Sequence, residues 1–464
     1  MKNGGLMKKW VSLVLATLML SSCAFVSLAG AEGVIELTVW HHEPPAHRVK
    51  AWQGVIDDFM AKNPDIKVTQ EVVLWGDVTQ KILSAIRSGT LPDINQVVDN
   101  QWTTTYLANA IVPIDDIVQA VDEKEGLYQP GLKSYTYDGH VWALPMNCST
   151  WNLMYRPSIL EKAGFDRPPE TWSELLEYAE KCTFPEEGIY GIGLASGRNG
   201  LTNDQYNLLY VATGNDYFDE EGNVAFDNAD AIAAAEFYQK LVPFSSPAST
   251  GWGFGEIEMN FAAGNIAMTP YLSPNLPGFF EEGLYDVATA PMPAPDGMSV
   301  LEGNKLMTNH ALSVTTQAAA DPARYEAVKR FLMHVMEPEM IWMLTVGQEP
   351  GFFYPPTKTG MDLVDSGYIN SEYLPLEGFD DSEGSEHRAI LQNFADYASG
   401  IDWNGYSVGA KYGIHNFSLT EIDDSLVIAD MMQKILVENM PAAEAVKWAH
   451  DKMVQLSEES ASLR

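Results

Sequence analysis

Downstream of residue 33 the apolar positions switch between two periods. Residues 35–40 (Ile-Glu-Leu-Thr-Val-Trp) alternate and are rich in β-formers, which predicts a strand. Residues 46–61 carry Trp52, Ile56 and Phe59 at helical spacing, and Asn63-Pro64-Asp65 turns that helix into a second strand over 66–74. A helix over 76–88 follows, with Val78, Ile82, Leu83 and Ile86 on one face, and Gly89 to Asp93 turns it into a strand over 94–98. Strands alternating with helices at this spacing predict an α/β fold with mostly parallel sheets. In such a sheet, ligands bind beyond the carboxyl ends of the strands. That rule selects His41-His42-Glu43, Trp75-Gly76-Asp77 and Asp99-Asn100-Gln101.

Further along, the pattern predicts strands over 188–194, 285–291 and 311–314, and a hairpin turn at Asp219–Asn223. Helices are predicted over 204–212, 229–241, 322–336, 338–346, 386–397, 425–439 and 442–459. With 464 residues the chain exceeds what one core supports, so two or more lobes are expected. No internal repeat stands out.

The stretch 138–182 is the most specific. Asp138-Gly139 makes a turn and Trp142-Ala143-Leu144-Pro145 reads as a strand. Trp151 to Tyr155 is an apolar run. Ala163-Gly164 and Pro168-Pro169 lead to Thr171-Trp172-Ser173-Glu174-Leu175, where Thr171 caps a helix and Glu174 completes a capping box. Phe261, Gly264, Ala267 and Met268 later mark a helix that ends at a glycine and feeds a strand.

In this order the motifs resemble the carbohydrate-binding receptors of ABC importers, the extracellular solute-binding proteins of family 1, the family of maltose-binding protein. The resemblance implies a two-lobe periplasmic-binding-protein fold with hinge crossings near 143–147, 287–293 and 344–350. The first lobe would be 34–143 plus 292–345, and the second 144–291 plus 346–464. It also implies a ligand-binding receptor rather than an enzyme, with no cofactor, a small-molecule carbohydrate as ligand and the transmembrane subunits of an ABC permease as partner. A monomer is expected.

Composition narrows the function. Asp and Glu outnumber Lys and Arg by 63 to 28, a net charge of −35, which repels phosphate backbones and anionic lipid and excludes nucleic acid as a partner. Lys2, Lys8 and Lys9 precede a largely apolar stretch over 10–20, which is a signal-peptide pattern too short to span a membrane. Two cleavage readings stand side by side. Leu20-Ser21-Ser22-Cys23 resembles a lipobox, giving a leader of 1–22 and a lipid anchor on Cys23. Ala29-Gly30-Ala31 is a small-x-small site, giving a leader of 1–31. Either places the protein in the periplasm or on the outer face of the cytoplasmic membrane. Cys148 and Cys182 remain, as a disulfide or as two buried thiols.

Enzymatic motifs fail on spacing. His42 and His47 lie five apart with Pro44-Pro45 between them, which is wrong for a zinc protease helix. Residues 217–228 lack a closing carboxylate for calcium, and 195–198 is not a nucleophile elbow. The binding candidates are aromatics at strand ends and loops, which bury sugar C–H faces, and polar groups, which take hydroxyls. They are Trp40, His42, Glu43, Trp75, Asp99, Asn100, Asn147, Trp151, Trp252, Tyr271, Asn309 and Phe352, with His310 beside Asn309. Each aromatic also fits a core position, Trp75 and Trp151 less so because their neighbours are polar. Glu43, Asp77 and Asp99 keep a polyamine or peptide ligand open, and a secreted carbohydrate-active enzyme is the alternative from another class.

Overall fold

The computed structural model describes residues 33–74, 77–98, 102–272, 276–303, 306–400, 405–413 and 416–462. The leader with Cys23, and Trp75, Asp99 and Asn100, lie outside them. The principal strands are β1 (Ile35–His41), β2 (Ile66–Val72), β3 (Ile94–Val98), β4 (Leu144–Pro145), β5 (Asn152–Tyr155), β6 (Tyr190–Ile192), β7 (Ile266–Tyr271), β8 (Ala288–Ala290) and β9 (His310–Val314). The principal helices are α1 (Ala46–Lys62), α2 (Val78–Ser88), α3 (Trp172–Lys181), α4 (Gly200–Ala212), α5 (Ala229–Leu241), α6 (Pro322–Val335), α7 (Pro338–Leu344), α8 (Glu386–Gly400), α9 (Leu419–Asp424), α10 (Val427–Leu436) and α11 (Ala442–Ser462).

Two sheets organise two lobes. The first has the order β2-β1-β3-β9-β4, and the second β8-β5-β7-β6. β1 pairs in parallel with β2 (Ile35 opposite Ile66) and with β3 (Val39 opposite Ile94), as βα units require. β9 runs antiparallel to β3 and to β4, because it enters the sheet on a return from the second lobe. The second sheet departs from a mostly parallel expectation. β5 is antiparallel to β7 and β8, and β7–β6 is its parallel pair. β5 and β8 are the strands through which the chain arrives from and departs to the other lobe.

In the first lobe α1 and α6 pack on the β1–β2 side, where Trp52 and Phe59 are buried and Phe59 meets Phe331 edge-on at 5.1 Å. In the second, α3 packs on β6 and α8 on β8, while α4, α5, α10 and α11 form a helical layer around Tyr206, Tyr210, Tyr217 and Phe226. Trp172 stacks on Phe237 at 4.6 Å, a pair worth ~0.5–1.5 kcal/mol beyond its buried area.

Local signals in the sequence act as expected. Thr171 Oγ1 accepts from Glu174 N at 3.2 Å. Gly89, at φ 68°, closes α2. Two boundaries differ. α4 begins at Gly200 because Asn199 caps it by accepting from Thr202 N, so Asp204 lies inside the helix. The helix expected over 425–439 is α10, which begins at Val427 because Leu426 before it sits in the left-handed region at φ 57°; a further short helix, α9, ends at Asp424.

The chain passages between the lobes are stitched together. Cys148 and Tyr354 exchange backbone hydrogen bonds of 2.8 and 2.9 Å, Ser149 and Thr150 pair with Met307 and Thr308, and Met307 N donates to Tyr406 O at 3.2 Å. Cys148 and Cys182 are both buried and form no disulfide with each other, and burial pushes the Cys182 thiol up to about 12.

Candidate functional site

A cavity of about 340 Å³ lies where the carboxyl end of β3 faces the helical layer of the second lobe. Val98, Thr308 and His310 line it from the first lobe and its crossing. Trp151, Asp204, Asn207, Ser407, Val408, Leu419 and Asp423 line it from the second. Two other depressions are less suited to a polar solute. One of about 620 Å³ lies around Leu160 and Arg167 on a single lobe. One of about 70 Å³ lies among Trp342, Tyr354 and Phe394 and has room for little more than water.

The first-lobe wall is held by a buried polar layer. His42 N donates to Gln96 Oε1 at 2.8 Å, which fixes that amide and turns its Nε2 towards Glu43 Oε1 and His310 Nδ1, both at 2.9 Å. Glu43 is fully buried, and its other oxygen accepts from Arg48 Nη1 at 2.6 Å. Arg48 continues to Glu349, next to the crossing that follows α7. Burial alone would raise the Glu43 pKa. The hydrogen bond and charge of His310, with Arg48 and Gln96, overcome burial and hold the carboxyl far below its usual range. Burial lowers the His42 pKa, against the ring's contacts with the Gln96 and Val73 carbonyls.

The second-lobe wall presents two carboxyl groups and no Lys or Arg among the described lining residues. Asp204, on α4, is raised to about 8 by burial and then by the Asp423 charge. Asp423, on α9, is raised to about 7 by burial and then by Asp424. Among the described residues neither carboxylate has a hydrogen-bond or ion-pair partner. Asn207, one helical turn beyond Asp204, is 4% exposed, and its Oδ1 accepts from the Tyr217 hydroxyl at 2.5 Å. The loop bearing Ser407 and Val408 is pinned by Asp216, which accepts from Gly409 N at 2.7 Å and Lys411 N at 3.1 Å.

Of the residues selected from sequence, Trp151 and His310 reach the cavity. His42 and Glu43 stand behind His310 as its support. Asn147 Oδ1 accepts from His310 N at 3.0 Å, and the carbonyl of the buried Asn309 accepts from the Tyr135 hydroxyl at 2.7 Å. Trp40 points to the opposite face of β1, packed on Val78, Ile82 and Ala85 under the Lys81 ammonium. Trp252 is buried in the second-lobe core. The Tyr271 hydroxyl lies 3.1 Å from both Phe254 O and Glu258 Oε1. Phe352 stacks on Phe353 at 4.7 Å, and Phe353 meets the His310 ring edge-on. Asp204, Asn207 and Asp423 were not selected. Their helices are distant in the chain, and the one usable signal was the i, i+3 placement of Asp204 and Asn207 on one helix face.

A lined cavity between two lobes joined by stitched crossings is the geometry of a receptor that closes on a solute. The profile of the bacterial extracellular solute-binding proteins matches residues 45–340. This chain belongs to that family. The solute-binding protein is 28% identical over 293 residues to a putative binding protein of Brucella abortus, covering 62% of this chain and 69% of the relative. It is 28% identical over 357 residues to the sn-glycerol-3-phosphate-binding periplasmic protein UgpB of Escherichia coli, covering 73% and 78%. In fold it resembles an ABC transporter solute-binding protein of Thermotoga lettingae solved with α-D-tagatose. The TM-score is 0.67 at 20% identity, covering 91% of this chain and all of that one. Among the described residues, no helix is long and apolar enough to cross a membrane.

Proposed function

We propose that this solute-binding protein is the exported receptor of an ABC importer and that its ligand is a sugar or oligosaccharide. The observation that carries this reading is the interlobe cavity, with the Trp151 indole on one side and Asn207, Thr308 and His310 around it. An indole face buries sugar C–H groups, while amide, hydroxyl and imidazole take ring hydroxyls. Its volume falls at the small end of small-molecule sites, roughly 300–1,000 Å³, and suits a compact solute.

Ligand touching both walls stabilises the closed state through contacts that the open state lacks, and the closed form docks on the permease. The receptor binds and releases its solute without altering it. The leader pattern supports export, with either a cleaved leader or a lipid anchor on Cys23, and a monomer suffices because both walls come from one chain.

The test is a melting-temperature screen of the mature chain against mono- and disaccharides. A saturating ligand at 100 times Kd stabilises by ~2.7 kcal/mol. An upward shift with a sugar, together with a smaller radius of gyration in solution scattering, is expected. No shift across the whole panel would overturn the reading.

A further inference from the structure

The cavity holds two carboxyl groups with no cationic partner among the described residues. Asp204 and Asp423 face it from two helices of the second lobe, and neither has a partner among the described residues. The described lining residues include no Lys and no Arg. Arg48, in the polar layer behind the first-lobe wall, is already engaged by Glu43 and Glu349. A second observation points the same way. Asn207 is almost fully buried, yet with its Oδ1 taken by Tyr217 its Nδ2 has no partner among the described residues and belongs to the cavity lining. All three residues line the cavity, so these groups are placed to take a ligand with complementary chemistry. The carboxylates ask for a positive charge, and the amide asks for an oxygen acceptor nearby.

From this we infer that the ligand carries an ammonium group, held between Asp204 and Asp423, on a hydroxylated body whose oxygen accepts from Asn207 Nδ2. An aminated sugar or aminopolyol satisfies all three groups together. This rests on the sugar-receptor reading above and narrows it. A desolvated ammonium–carboxylate contact is stronger than a neutral hydroxyl contact, whereas a phosphate placed here would meet two like charges. The chain therefore differs in expectation from its sn-glycerol-3-phosphate-binding relative.

The experiment measures affinity by titration calorimetry for matched sets. These are glucosamine, galactosamine and mannosamine and their β1,4-linked dimers, each beside its N-acetylated and its plain hydroxyl counterpart, with putrescine, sn-glycerol 3-phosphate and calcium chloride as further probes. The tightest ligand is expected to be an amine, at least tenfold tighter than its N-acetylated counterpart. Asp204→Asn and Asp423→Asn should each weaken it tenfold or more while the fold, checked by circular dichroism, persists. Asp381→Asn, which removes the same charge from an exposed surface position, should leave its affinity unchanged. If a plain or N-acetylated sugar binds best, the ammonium inference falls and the sugar-receptor reading stands. Binding of putrescine alone would remove the sugar and keep the ammonium. Calcium-dependent binding, tight binding of sn-glycerol 3-phosphate, or amine binding indifferent to both substitutions would overturn the inference. If no probe binds at all, both readings fall.

Discussion

Arg48→Ala tests whether the buried layer behind His310 is a structural anchor. Arg48 satisfies Glu43, which is fully buried, and reaches Glu349 at the crossing after α7, so truncation leaves a buried carboxylate without its guanidinium. Removing one partner of a buried pair costs ~3–5 kcal/mol. The Arg48 side chain keeps 19% exposure, and Gln96 and His310 still face Glu43, so the lower end applies, about 3 kcal/mol. For a unit of 150–250 residues, 1 kcal/mol moves Tm by ~2–4 °C, which gives a fall of about 6–12 °C.

The pH dependence has a definite sign. The folded pKa of Glu43 is depressed, so its stabilisation is complete above the ordinary carboxylate pKa and is lost as pH falls through the folded value. The gap between wild type and variant should therefore be full at pH 7 and shrink below about pH 4. Calorimetric melts at pH 7, 5 and 3.5 read this directly, and Arg48→Lys, which keeps the charge but not the fork, should fall between the two. A variant melting within about 2 °C of wild type at pH 7, or a gap that widens on acidification, would refute the reasoning.

Other expectations are independent of Arg48. Gly191→Ala places a Cβ 1.8 Å from the Ala179 carbonyl oxygen on α3, a clash with backbone that should destabilise the second lobe by about 3 kcal/mol or more; urea unfolding measures it. The raised pKa values of Asp204 and Asp423, faced by Asp424 and Tyr217, mean that the folded state binds more protons than the unfolded one between the ordinary aspartate value and about 8. Stability should therefore fall as pH rises from 6 to 8.5, and Asp204→Asn with Asp423→Asn should flatten the profile; equal slopes would contradict it. Trp151→Phe keeps an aromatic face but shrinks it, and should weaken the ligand found in the sugar screen roughly three- to tenfold without changing the fold.

Much of the first lobe was legible because its determinants are local. The alternating run at 35–40, the helical spacing of Trp52, Ile56 and Phe59, and Gly89 each specify their element within a few residues of chain. The Thr171 cap was legible for the same reason. The second sheet was harder, since its antiparallel pairings are set by where the chain re-enters a lobe, and no local pattern records that. Leu426 illustrates the limit: nothing about a leucine announces a left-handed residue, yet it stands between α9, which carries Asp423, and α10. Aromatics were an ambiguous guide. Trp40 and Trp151 flank strands in much the same way, but one faces α2 and the other faces the groove, a difference fixed by which side of each strand is covered. The carboxylates of Asp204 and Asp423 were invisible as a pair because only the folded helical layer makes them neighbours.

Cys148 and Cys182 are both sealed inside, and Cys182 resists ionisation. Maleimide chemistry on a chain cut to begin at Gly33 therefore meets no competing surface thiol. One cysteine introduced on the outer face of each lobe gives a clean pair of dye sites, and energy transfer between them would follow opening and closing in single molecules as solute comes and goes.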